Sequence, residues 1–145
     1  MSKYARAIFI VLFLFVSLAF SFGKDPIKAS VDKTKITTGE IFTYSLSIDD
    51  DYLQATLIPP DFKGLNVVSY RQSKSFNSID KKTKTIHTIS YFLFAQNPGA
   101  ITIKPAILKV SEKEYKTSSI TLKVEGIPLE QKLKILPYIE KGTNL

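Results

Sequence analysis

From Phe42 to Ile48 every second side chain is apolar: Phe42, Tyr44, Leu46 and Ile48 are separated by Thr43, Ser45 and Ser47. A β-strand turns successive side chains to opposite faces, whereas a helix would scatter these four around its circumference. The segment therefore needs one dry face and one wet face, and a register slip of one residue would turn all four apolar groups to water. A chain built from such segments buries its dry faces only by packing one sheet against another.

The same period runs through the rest of the chain. Ile27 to Val31 reads as a first short strand, with Thr37-Thr38-Gly39-Glu40 as a turn before the alternating segment. Leu53 to Ile58 reads as the next strand and stops at Pro59-Pro60, which cannot donate to a ladder. A fourth strand starts at Leu65 and runs through Arg71 toward Phe76, with imperfect parity. Ser78 to Lys84 is polar, as an exposed hairpin tip requires, and a long strand follows from Thr85 to Ala95. Asn97-Pro98-Gly99-Ala100 carries type II turn chemistry. After it, apolar residues shift from odd positions (Ile101, Ile103) to even ones (Ala106, Leu108, Val110), with Pro105 at the change. A bulge or a switch between sheets is expected there. Ser111 to Glu114 reads as a charged turn, and Ile120, Leu122 and Val124 as a last strand. Seven or eight short antiparallel strands over residues 24–126 predict an all-β, immunoglobulin-like β-sandwich without the Cys and Trp hallmarks of antibody domains. Residues 127–145, where Pro128 and Pro137 bracket Leu129 to Leu136, read as a C-terminal linker or tail.

Residues 1–23 have the layout of a secretory signal peptide: Lys3 and Arg6, an apolar block from Ala7 to Phe20, then Ser21 and Gly23. A helix of that block would reach about 21 Å, short of the roughly 30 Å hydrocarbon core. Export with cleavage is the expectation, and an uncleaved membrane anchor is the minor alternative. Cleavage leaves 122 residues with 18 bases and 13 acids, a net charge of +5. The lysines come singly along the strands, which makes nucleic acid a poor partner and leaves peripheral contact with anionic lipid or wall polymer as the better use of the charge. There is no cysteine, which excludes a disulfide framework, a thiolate metal site, a cysteine nucleophile and a lipoprotein anchor. Core packing must therefore hold the fold, with Phe42, Tyr44, Phe62, Tyr91, Phe92, Phe94 and Tyr115 among the large side chains.

Candidate chemistry is sparse. His87 is the sole histidine, and by parity it shares a face with Ile89 and Tyr91, as a half-buried strand residue would. Asp49-Asp50-Asp51 lies in a turn where carboxylates can gather around calcium, but the glycine-bearing loop with alternate acidic ligands is missing. Glu40, Asp61, Glu112 and Glu114 show no acid–base spacing. Lys81, Lys82 and Lys84 suit either an acidic partner or an exposed tip that blocks edge pairing. No catalytic, metal or cofactor residue is assigned, no cofactor is expected, and the chain is read as a non-enzyme.

Four stretches carry a resemblance to a known family: KASVDKTKITTGEIFTYSLSI (28–48), PPDFKGLNVVSYRQSKS (59–75), TISYFLFAQNPGAITIKPAILKV (88–110) and EYKTSSITLKV (114–124). Together they resemble the N-terminal β-sandwich of BatD proteins of the bacterial aerotolerance (oxygen tolerance) operons. The run Gly99 to Ala106 followed by Tyr115 and Thr117 is its most specific part. Two turns depart from the family: Glu112 stands where glycine is usual, and Asp80-Lys81 replaces a common Asn-Gly tip, so both turns are expected to differ in type or length. Family members generally continue into further β domains and a C-terminal membrane segment, whereas this sequence ends at Leu145, so a single-domain relative and a truncated product both stay open. The resemblance implies a periplasmic or envelope protein-interaction module working beside von Willebrand A-domain partners, and it supplies no catalytic residue. The alternative reading is a carbohydrate- or cell-wall-binding module that would use exposed tyrosines such as Tyr52 or Tyr70.

Overall fold

The computed structural model describes residues 25–52 and 54–134. The signal peptide expected at 1–23 and the tail beyond residue 134 lie outside the described residues. Among the latter, ten strands follow in chain order. They are β1 (Ile27–Val31), β2 (Lys35–Thr37), β3 (Phe42–Asp49), β4 (Thr56–Ile58), β5 (Leu65–Ile79), β6 (Lys82–Ala95), β7 (Gly99–Ile103), β8 (Ile107–Val110), β9 (Lys113–Lys116) and β10 (Ile120–Glu125). They form a four-stranded sheet in the order β1-β3-β6-β5 and two three-stranded sheets, β2-β10-β7 and β4-β8-β9. The four-stranded sheet makes one layer of an immunoglobulin-like sandwich and the two smaller sheets make the other.

The alternation that opened the sequence reading decides where the core lies. Along β3, buried residues strictly alternate with half-buried ones: Phe42, Tyr44, Leu46 and Ile48 all point inward. They meet Leu93 and Ala95 from β6, Ile36, Leu122, Val124 and Ile103 from the β2-β10-β7 sheet, and Leu108 from β8. Each large side chain buried this way stabilises the fold by roughly 1.5 to 3 kcal/mol. Antiparallel register pairs Tyr44 with Tyr91, Leu46 with Ile89 and Ile48 with His87, which keeps the inward row continuous from strand to strand.

Three expectations are refined by the fold. The strand predicted over Leu53 to Ile58 is found at Thr56–Ile58, preceded by a 3₁₀ turn at Asp50–Tyr52 and an Ala55 N–H bond to the Tyr52 carbonyl (3.0 Å). The predicted turn at Ser111–Glu114 is tighter: Ser111 and Glu112 make it, and β9 pairs with β8 from Lys113 onward. The short β2 was not foreseen, because one buried residue, Ile36, between two exposed ones carries no periodic signal; it pairs in parallel with β10. The parity change at Pro105 is a switch of sheets, as β7 belongs with β10 and β8 with β4 and β9. Across that switch the Thr117 hydroxyl accepts the Ala106 N–H at 2.9 Å, which pairs that donor where the ladder breaks.

Residues 129–134 are helical. Their approach to the sandwich is fixed by two long-range bonds: the Thr38 hydroxyl donates to the Ile127 carbonyl at 2.6 Å, and the Leu129 N–H donates to the Gln96 carbonyl at 2.7 Å. Gly39, at φ +81°, lets Leu129 come close, since a Cβ there would lie 2.9 Å from Leu129 Cδ1.

Candidate functional site

The β5–β6 hairpin is the feature that the sandwich leaves least covered. β5 has 15 residues and β6 has 14, but β3 pairs with β6 only from Ile86 to Leu93. Beyond Ile86 the hairpin continues as a two-stranded arm, closed by Asp80 and Lys81 at φ 50° and 62°. Two successive positive φ values are those of a type I′ turn, so the tip keeps the conformation that Asn-Gly favours, and the expected change of turn type is not found. β5 is an edge strand, and a bulge between Val67 and Ser69 explains its imperfect parity.

Past the bulge, Tyr70, Lys74 and Phe76 lie opposite Tyr91, His87 and Thr85 and so share the inward face of the sheet. The second layer does not reach them. Val67 is 50% exposed, Tyr70 65% and Phe76 67%. Tyr70 closes a line of rings that starts in the core: Tyr44 to Phe62 at 5.5 Å, Phe62 to Tyr91 at 5.1 Å, and Tyr91 to Tyr70 at 6.2 Å. Tyr52, by contrast, is half-buried and makes an edge contact with Tyr115 at 6.1 Å.

Charge gathers on the same hairpin. Residues 65–95 hold five bases (Arg71, Lys74, Lys81, Lys82, Lys84) against the single acid Asp80, while the other residues of 25–134 hold eleven bases and eleven acids. The concentration is contiguous in the sequence, with Lys81 and Lys82 adjacent, and the antiparallel pairing of β5 with β6 keeps it on one hairpin. Of the three lysines singled out, only Lys81 sits in the tip; Lys82 opens β6, and Lys84 is tied to Asp49 at 2.7 Å across to β3. Arg71 and Lys74 rest over aromatic rings, Phe92 at 5.9 Å and Phe76 at 5.7 Å.

The other candidates stay apart. His87 is half-buried on β6 and borders a cavity of about 180 Å³ lined by apolar residues such as Ile48, Leu57 and Leu108 and by the polar Gln72 and Ser73. The Asp49 carboxylate is engaged by Lys84, and among the described residues no group of three or more acidic or histidine side chains is placed to hold a metal ion. Glu40 accepts from Lys33 Nζ (2.8 Å) and the Thr37 N–H (2.9 Å), and Lys33 first, then the Thr37 N–H, hold its carboxyl below the ordinary carboxylate range. Glu125 is held down in the same way by Lys123 and Lys35. Glu114 pairs with Lys109 at 3.3 Å. These are surface ties of turns and strands. Among the described residues no helix is long and apolar enough to cross a membrane.

Fold and site thus define an all-β sandwich domain that carries a long, basic, apolar-edged hairpin. The BatD DUF11 like domain family matches residues 29–124, which covers β1 through nearly all of β10. The chain belongs to the BatD family. No curated protein and no solved structure matches it.

Proposed function

We propose that this chain is a non-enzymatic protein-interaction module of the bacterial envelope, acting in a BatD-type oxygen-tolerance system. The match of the family over residues 29–124 carries the reading, since it accounts for the sandwich from end to end. The signal-peptide layout of residues 1–23 supports export to the periplasm, and the uncovered hairpin offers contact surface at no cost to the core. The partner class is a von Willebrand A-domain protein of the same envelope system. The test uses the full-length chain, tagged at its C-terminus and cross-linked in the cell that makes it. Recovery of an A-domain protein in the envelope fraction is the expected result. A chain that stays in the cytosol, or that captures no envelope protein, overturns the proposal.

A further inference from the structure

We propose that the free edge of β5 is a docking site for an extended acidic polypeptide strand, one that alternates apolar residues with Asp or Glu and adds to the four-stranded sheet beyond β5. This rests on the reading of the chain as an interaction module and names the chemistry of its partner. β5 stands at the end of the order β1-β3-β6-β5, so among the described residues no strand lies beside the backbone N–H and C=O groups on its outer side. An edge of 15 residues is long for an unprotected one, and natural sheets blunt such edges with bulges, prolines or charges. Here the bulge lies near the start, at Val67–Ser69, and β5 beyond it runs ten residues without another irregularity or a proline.

Occupancy by a second copy would bring two edges of the same sign together. Residues 65–95 carry a net charge of +4, from five bases and one acid, and pairing β5 with itself sets that charge against its equal. The same field favours an acidic strand. The bases that keep copies apart thus select the partner's charge, and side-chain recognition comes from the exposed row Val67, Tyr70 and Phe76, which alternate apolar residues of an added strand would cover. The projecting part of the hairpin gains most, because two strands without a third are marginal on their own.

The probe is a synthetic 12-residue peptide alternating valine or threonine with glutamate, titrated against the full-length chain in mild detergent and followed by fluorescence anisotropy and by protection of β5 amides from hydrogen exchange. Binding that protects β5, weakens at high salt, and is lost when alternate peptide nitrogens are methylated is the expected result. The double variant Arg71→Glu/Lys74→Glu should bind on the order of tenfold more weakly and take up the lysine-for-glutamate peptide instead. Equal binding of the methylated peptide, of the lysine peptide to the unaltered chain, or of the acidic peptide to the double variant overturns the proposal, as does β5 protection that arises from self-association alone. The methylated peptide leaves the protein untouched, so the test holds even if the variant folds poorly. If the unaltered chain and the double variant capture the same envelope protein equally, the edge proposal falls and the interaction module stands. If neither captures one while the acidic peptide still binds at β5, the module reading falls and the edge proposal stands.

Discussion

Replacing Tyr44 by phenylalanine should stabilise the protein, the opposite of what removing a buried polar group usually does. Tyr44 is 1% exposed, and its hydroxyl is the one buried side-chain polar atom among the described residues that lacks a hydrogen-bond partner. Thr117 lies near enough to pull the phenol pKa back a little, but no hydrogen bond of good geometry joins the two hydroxyls. Burying a hydroxyl without a partner costs about 1 to 3 kcal/mol. The ring itself is well used, packed edge-on to Phe62 at 5.5 Å, and phenylalanine keeps that contact. After allowance for the small void left by the lost oxygen, Tyr44→Phe should gain about 1 kcal/mol, or about 4 °C in Tm for a domain of this size. Burial also pushes the phenol pKa above its ordinary value. A raised pKa means that the native state holds the proton more tightly, so this contribution is intact below the ordinary tyrosine range and is lost as pH climbs through the raised value. The variant should therefore resist alkaline unfolding better than the parent, while phenolate absorbance in the parent shows tyrosines ionising above the ordinary range, Tyr91 among them. Urea and thermal melts at neutral and alkaline pH measure both effects. A loss of 1 kcal/mol or more in the variant would refute the reasoning, because it would mean that the hydroxyl is satisfied.

Leu46 is fully buried at the centre of the core, and Leu46→Ala should cost about 2 to 5 kcal/mol in urea denaturation; a cost below 1 would place the core elsewhere. Lys81→Gly should stabilise by up to about 1 kcal/mol, because glycine accepts the φ of 62° that lysine adopts at a price, and a neutral or negative change in Tm would count against a strained tip. An NMR titration of Glu40 should give a midpoint below the ordinary carboxylate value, with the tie to Lys33 and Thr37 present above that range and lost as pH falls through the depressed midpoint. Lys33→Ala should return the midpoint most of the way, and an unmoved midpoint would show that the pair is not formed in solution.

Legibility in the sequence followed the strength of the local signal. The strict alternation from Phe42 to Ile48 predicts β3 and its inward face to within one residue, and the residues of β1, β6 and β10 were likewise readable. Ile36 sits in a strand of three residues, too short for a period to show, and its place depends on β10 coming alongside from far along the chain, whereas Tyr115 sits in a four-residue strand that pairs with β8 across the tight turn at Ser111 and Glu112. Glu112 and Asp80 marked turns correctly, but the backbone at Asp80-Lys81 followed the twist of the two long strands it joins and not the preference of its residues.

The sequence by itself determined that this is a two-layered β protein and which rows of side chains are dry, because side-chain alternation is a local consequence of extended backbone. Its likeness to BatD was also readable there. Only the tertiary structure decided which strand would stand at the edge and that its row of Val67, Tyr70 and Phe76 would stay uncovered. Those outcomes depend on which strands pair across long separations in the chain, and pairing is set by how whole faces fit together, information that no single segment contains.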